Sequence, residues 1–332
     1  MDYKSIISEL GNKKAIYIYQ KMLEIREFEK KISFLFLEGR MPGTIHQYTG
    51  MEACAVGVCS VLKQNDVIGS THRPNGHAIA RGLSMEEIIA ELFGKVTGCC
   101  KGKGGAMHIG DIDKGMLPAI AVVGGNIPII MGAALAFKLK REKKIAVSFF
   151  GDGASNTGAF HEGLNMAAVY NLPVVFVCEN NHYSASTSIK KTLKIENIAD
   201  RAQSYRMRGE IANGMDVLNV YMKAKKAADL ARKGEGPTLL ELKTFRFCGH
   251  SRRDPNNYMP REEMEYWKKK DPIPFYEKIL LKESIINEDK IEKIKKIVDK
   301  KVDRAVQFGQ QSLEPNPEDT FDDLYVTIEV PK

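Results

Sequence analysis

The sequence predicts an α/β fold, a mostly parallel sheet flanked by helices and extended by helices at both ends. Three observations carry this. Residues 145–183 read as strand, Gly-rich turn, helix, strand and polar turn, which is a βαβ crossover with parallel neighbouring strands. Two further apolar runs, at 66–70 and 237–245, each lead into loops carrying Arg and His. Helical periodicity occupies 13–38 and 288–308. A chain of 332 residues is long enough for an ample core. We divide this one unit into an N-terminal helical extension (1–40), an α/β core (41–260) and a C-terminal helical region with a tail (261–332).

In chain order, 13–38 sets Ile16, Tyr19, Leu23, Phe28, Ile32 and Leu35 roughly on one side, and Gly39 stops the helix. Met41–Cys59 is a Pro-Gly turn, a polar segment bearing His46, and an apolar helix in which Glu52 reads as a packing residue. The strand at 66–70 delivers Thr71-His72-Arg73 and then Asn75-Gly76-His77. Ser84-Met85-Glu86-Glu87 is a capping box for a helix that runs to Phe93 and ends at Gly94. Residues 94–117 are dense in Gly and Lys yet lack GxxxxGK[ST], so they read as a mobile or tightly wrapped loop and not a phosphate loop. Pro128 suits the first turn of a helix through Leu139.

Residues 145–150 are a continuous apolar run, as a strand buried on both faces requires. Gly151-Asp152-Gly153 breaks it, a helix follows, Pro173 ends that helix, and 174–177 form the second strand before Glu179-Asn180-Asn181. Residues 184–198 read as an exposed, mobile loop, while 197–208 and 216–233 look helical. The strand at 237–245 delivers Arg246 and His250. Residues 271–274 break the chain ahead of a helix with Ile291, Ile294, Val298, Val302 and Val306 facing inward. The acidic tail ends in an apolar stretch, 324–330, suited to docking on a partner or to a self-packed strand.

Composition is that of an ordinary soluble globular protein, and a formal charge of +7 is modest for the length. No basic arm interleaved with aromatics points to nucleic acid. The six cysteines show no metal spacing, which suits a reducing cytoplasm. No signal peptide or membrane-length apolar run is visible, so no membrane is expected.

The chemistry converges on strand ends. Asp152 and Asn181 end adjacent strands, where open α/β sheets bind ligands. A carboxylate and an amide oxygen suit a hard cation such as magnesium, with substrate phosphate completing the shell; turn capping is the alternative role for both. An Arg and a His at one strand end suit a diphosphate, and this describes His72 with Arg73. His250, after Arg246, can move a proton near neutral pH.

The wording GDGASNTGAFHEGLNMAA with VVFVCENN resembles the thiamine-diphosphate (TPP) binding motif. It is most similar to alpha subunits of the decarboxylating component of 2-oxo acid and acetoin dehydrogenase complexes. The segments PGTIHQYTGMEA and RFCGHS carry the same resemblance. It implies the thiamine-diphosphate-binding fold in its diphosphate-type form. Asp152, the Asn181 side chain and the Tyr183 carbonyl would bind magnesium. Gly153 and Ala154 would lie against the diphosphate, with His72, Arg73 and Arg246 also contacting it. Val123 would be a backbone contact, and His46 and His250 would face the reacting centre, His250 also touching cofactor. Two departures from the family wording are Ala106 for Ser and Ala121 for Gly, the latter crowding a close approach.

The resemblance further implies a beta subunit in an α2β2 heterotetramer, because this chain carries no second α/β domain to supply the cofactor-activating Glu. The carbon nucleophile is the cofactor's. It would cleave a small-molecule substrate and pass the acyl unit to a lipoyl group on the next enzyme of the complex. STHR at 70–73 and DIDKGML at 111–117 look more like the acetoin branch, with pyruvate next. A non-catalytic cofactor-binding or regulatory protein of the same fold is the alternative. A nicotinamide enzyme lacks its glycine fingerprint.

Overall fold

The structure is a computed structural model that describes residues 1–324. The apolar tail stretch therefore lies outside the described residues beyond Leu324. The chain enters through α1 (Tyr3–Leu10) and α2 (Asn12–Leu37). Tyr19, Leu23, Phe28, Ile32 and Leu35 of α2 are buried, as their spacing predicts. The chain continues through α3 (Glu52–Cys59), β1 (Val67–Gly69), α4 (Asn75–Arg81) and α5 (Met85–Leu92). Ser84 caps α5 by accepting from the Glu87 amide. Next come α6 (Asn126–Leu139), β2 (Ala146–Gly151), α7 (Gly158–Val169) and β3 (Val174–Asn180). The short pair β4 (Tyr183–Ser184) and β5 (Thr187–Ser188) precedes β6 (Arg208–Asn213), α8 (Val217–Arg232) and β7 (Thr238–Lys243). Helices α9 (Arg261–Lys268), α10 (Pro272–Lys282) and α11 (Glu288–Gln311) complete the chain.

The five-stranded sheet has the order β1-β2-β3-β7-β6, parallel throughout. Its continuous apolar strands are buried on both faces. Val147, Phe149, Val175 and Val177 pack with residues of α2, α3 and α8. Ala146, Phe150, Phe176 and Cys178 pack with α6 and α7. Register sets Gly151 opposite Glu179 and Asn180 opposite Lys243, so the loops after β2, β3 and β7 leave one carboxyl edge together.

Two buried ion pairs fix the layers. Arg26 of α2 donates to both carboxylate oxygens of Glu52 and both of Asp271. This is the packing role expected of Glu52, and it ties α2 and α3 to the residue that caps α10. Asp66 pairs with Arg232 and accepts the Ile145 amide, which anchors the start of β1 to α8 and to the strand beside it.

Three segments differ from the sequence reading. The helix expected over 197–208 is a 3₁₀ turn, Ile198–Tyr205, closed by Arg206 at φ 53°, after which β6 pairs in parallel with β7. Edge strand β6, Arg-Gly-Glu-Ile-Ala-Asn, has too few apolar residues to be read as a strand; pairing with β7 creates it. The loop expected at 184–198 is largely exposed, as read, and also carries unpredicted local structure, the β4–β5 hairpin and a 3₁₀ turn at Ile189–Lys191. Asn75-Gly76-His77 opens α4. The Gly-rich segment after α5 is tightly wrapped: the buried Glu91 carboxylate accepts amides from Cys100, Gly102, Gly104 and Gly105 at 2.8–2.9 Å.

Candidate active site

A cavity of about 480 Å³ opens at the carboxyl edge of the sheet. The loop after β1 brings Thr71, His72 and Arg73 to it, and the turn before α6 brings Val122 and Val123. The turn after β2 contributes Asp152, Gly153 and Ala154, that after β3 Asn181 and Tyr183, and that after β7 Arg246 and His250. The sequence-predicted residues thus line one space, apart from His46. That ring stands behind the wall, edge-on to His72 and His250 at centroid distances of 5.0 and 4.9 Å.

Asp152 is 2% exposed, and its partner among the described side chains is the Ser184 hydroxyl at 3.4 Å. Burial pushes its carboxyl up to about 6, against the Asp152 amide, the Arg246 charge, the Ser184 hydroxyl and the Gly153 amide. Among the described residues no cationic side chain bonds to this carboxylate. Asn181 Oδ1 accepts the Tyr183 amide at 3.3 Å, which is the turn role, yet an amide oxygen keeps a second lone pair. His182 between them takes φ 71°, reversing the chain directly after β3. A Cβ on Gly153 would collide with Ser184 Oγ, so this position admits only glycine beside the cavity.

Arg73 and Arg246 are 4% and 1% exposed. Arg73 donates to Gln47 O (2.8 Å), His250 O (2.7 Å) and His250 Nδ1 (3.2 Å). Arg246 donates to Cys248 O, Ala185 O and the Tyr258 hydroxyl. Neither has a carboxylate partner among the described residues. Burial and the Arg246 charge lower Arg73 to about 9. Two buried like charges without counter-ions favour an anion strongly.

The same field acts on the imidazoles. Burial first, then Arg73, lowers His46 to about 3, His72 to about 2 and His250 to about 4. All three are neutral at physiological pH. Arginine only donates, so His250 Nδ1 accepts and its proton sits on Nε2. His46 Nδ1 and His72 Nε2 are buried without partners, and of the two rings that of His72 lines the cavity.

Sequence reasoning missed a buried network beneath the site. His77 Nδ1 meets Ser70 Oγ at 2.8 Å, and His77 Nε2 meets Glu179 Oε1 at 3.1 Å, while Tyr48 donates to the same carboxylate. It joins the loop after β1 and helix α4 to the end of β3. One signal was available, an acid at the end of the apolar run 174–178. The clamp in which Tyr258 donates to Asp254 and accepts from Arg246 and the His250 amide was also missed. Its loop carried no periodic pattern.

The arrangement would hold a dianion between Arg73 and Arg246, and a hard cation on Asp152 and Asn181. These residues fit a magnesium-bound diphosphate. The family described as Dehydrogenase E1 component matches residues 20–318. The acetoin:2,6-dichlorophenolindophenol oxidoreductase alpha subunit of Bacillus subtilis is 48% identical over 321 residues, 96% of each chain. That of Cupriavidus necator is 39% identical, again over 96% of each. The pyruvate dehydrogenase E1 component alpha subunit of Porphyra purpurea is 38% identical, over 92% of this chain and 91% of its own.

Proposed function

The chain belongs to the dehydrogenase E1 component family, and on that premise we propose that it is the alpha subunit of an acetoin-cleaving enzyme using thiamine diphosphate and magnesium. E1 alpha chains are oxidoreductase subunits, and the names of the relatives favour this catalytic reading over a non-catalytic binding protein. The observation that carries the proposal is the meeting of two buried arginines that bond to no carboxylate among the described residues, a buried carboxylate and two neutral histidines in one cavity.

Arg73 and Arg246 hold the diphosphate, with His72, Gly153 and Ala154 against it. Asp152, the Asn181 side chain and the Tyr183 carbonyl hold magnesium. Val123 offers a backbone contact. Thiamine diphosphate, when bound, supplies the carbon nucleophile. His250 donates from Nε2 to a substrate oxygen, and His46 stands behind it, edge-on to the His250 ring. A substrate carboxylate would call for a further cation, whereas both arginines are committed to the diphosphate and the imidazoles are neutral. Uncharged acetoin suits this better than pyruvate.

An alpha subunit has a beta subunit as partner. Asp152 is the acid among the described cavity-lining residues, and the buried Glu52, Glu91 and Glu179 are engaged elsewhere. The acid that activates the cofactor therefore comes from the beta subunit in an α2β2 assembly. The acyl unit passes to a lipoyl-bearing acyltransferase. Among the described residues no helix is long and apolar enough to cross a membrane. The free cysteines support a cytoplasmic setting. The test is calorimetry on the chain co-expressed with its beta subunit: thiamine diphosphate should bind saturably with magnesium and far more weakly without it. Equal affinity in both conditions contradicts the metal assignment.

A further inference from the structure

We infer that Glu29 is held as a neutral acid in a two-bond pair with Asn75, which leaves the Arg73 guanidinium available to an anion in the cavity. Glu29 lies on α2 and is fully buried; Asn75 opens α4, two residues after Arg73, and is 3% exposed. Asn75 Nδ2 donates to Glu29 Oε1 at 3.2 Å. The remaining atoms of the two groups, Glu29 Oε2 and Asn75 Oδ1, are both buried without a partner.

An ionised Glu29 cannot repair this, because both atoms are then acceptors. A protonated Glu29 repairs both at once. Its Oε2–H donates to Asn75 Oδ1, closing an acid–amide ring in which each group donates once and accepts once. Buried polar atoms in native proteins are almost always paired, so the paired state is the one to adopt.

The surroundings agree. Burial pushes Glu29 up to about 8, with Glu52 in the same direction, against the Asn75 and Tyr48 amides and the Arg73 charge. Gln47 reaches only the Glu29 carbonyl oxygen, and the Cys248 thiol, on the loop after β7, is buried and held above its usual range. Arg73 is thus the nearby cation. An ionised Glu29 would become its internal counter-ion and compete with any bound anion; a neutral Glu29 does not. Glu29 is a positioning residue, and its role rests on the reading of Arg73 as a diphosphate contact.

The test uses the chain co-expressed with its beta subunit. Affinity for thiamine diphosphate with magnesium is measured by calorimetry at about pH 7 and about pH 8.5, spanning the titration of Glu29. Glu29→Gln presents the same donor and acceptor as the neutral acid. The wild type should lose up to about fourfold more affinity across this interval than Glu29→Gln, as the neutral fraction of an acid at about 8 falls. Infrared spectroscopy of the cofactor-free protein should show a buried protonated-carboxyl band at neutral pH. That band should fade on alkalinisation, be missing in Glu29→Gln, and shift in Asn75→Leu, which removes the ring even if the first variant fails to fold. Parallel pH profiles, or no such band at neutral pH, overturn the inference. No binding by either protein at any pH, with the band present, overturns instead the reading of Arg73 on which its function rests.

Discussion

Nη2 of Arg73 donates to His250 twice, to the carbonyl oxygen at 2.7 Å and to Nδ1 at 3.2 Å. One guanidinium therefore serves two tasks. It presents positive charge to the cavity, and it fixes the imidazole tautomer that leaves Nε2–H free.

Arg73→Lys should damage both. An ammonium cannot span Gln47 O and His250 in one planar fork. Cofactor affinity should fall about 10- to 100-fold by calorimetry. Turnover at saturating cofactor should fall as well, because Nδ1 loses its donor. A fall in affinity with unchanged kcat would separate the two tasks and contradict the coupling.

Asp152→Ala should abolish magnesium-dependent cofactor binding. In the wild type the pH dependence has a definite sign. The folded Asp152 carboxyl sits at about 6, above the ordinary value of about 3.9. Its contribution to apo stability is full below that ordinary value and is lost as pH rises through about 6. The metal needs the anion, so magnesium-dependent affinity should climb over the same window. Affinity that is flat between about pH 5 and about pH 7 would remove Asp152 from the metal site.

His250→Ala should leave the cofactor bound and slow turnover by about 100-fold or more. Because His250 is lowered to about 4 by burial and Arg73, the wild-type rate profile should show no imidazole limb near the ordinary value of about 6.5. Its stability contribution, that of a neutral buried imidazole, is complete above that ordinary value and declines as pH falls toward about 4. A rate limb at the ordinary imidazole value that disappears in His250→Ala would contradict the neutral assignment.

Arg26→Met should destabilise the fold and spare the site chemistry. It leaves Glu52, fully buried and bonded to Arg26 Nε at 2.5 Å, without its counter-ion. Such losses cost about 3–5 kcal/mol. Denaturant unfolding should read that loss, while the folded fraction should keep its cofactor affinity.

Much of this was legible in the residues. Continuous apolar runs at 145–150 and 174–178 belong to strands buried on both faces, and the turns after them necessarily reach the sheet's carboxyl edge. Asp152 and Asn181 could be grouped on that ground, and Arg73 and Arg246 from the strands at 66–70 and 237–245 that precede them. What could not be read arises from tertiary pairing. Strand β6 exists because β7 supplies its hydrogen bonds, and its own sequence has little strand character. The Tyr48–His77–Glu179 network joins residues 131 and 102 positions apart, which no periodicity encodes. His46 could be assigned to the site by resemblance, but its place behind His72 and His250 required coordinates.

The activity proposed for this chain with a beta subunit is the cleavage of acetoin. Its most direct test is turnover of the co-expressed pair with thiamine diphosphate, magnesium and an artificial electron acceptor, comparing acetoin, pyruvate and branched-chain 2-oxo acids. Acetoin should give a kcat/KM at least about tenfold above the others, the discrimination of a site without a free cation for a carboxylate. Preference for pyruvate, or no turnover of any substrate by a pair that binds cofactor, would contradict it.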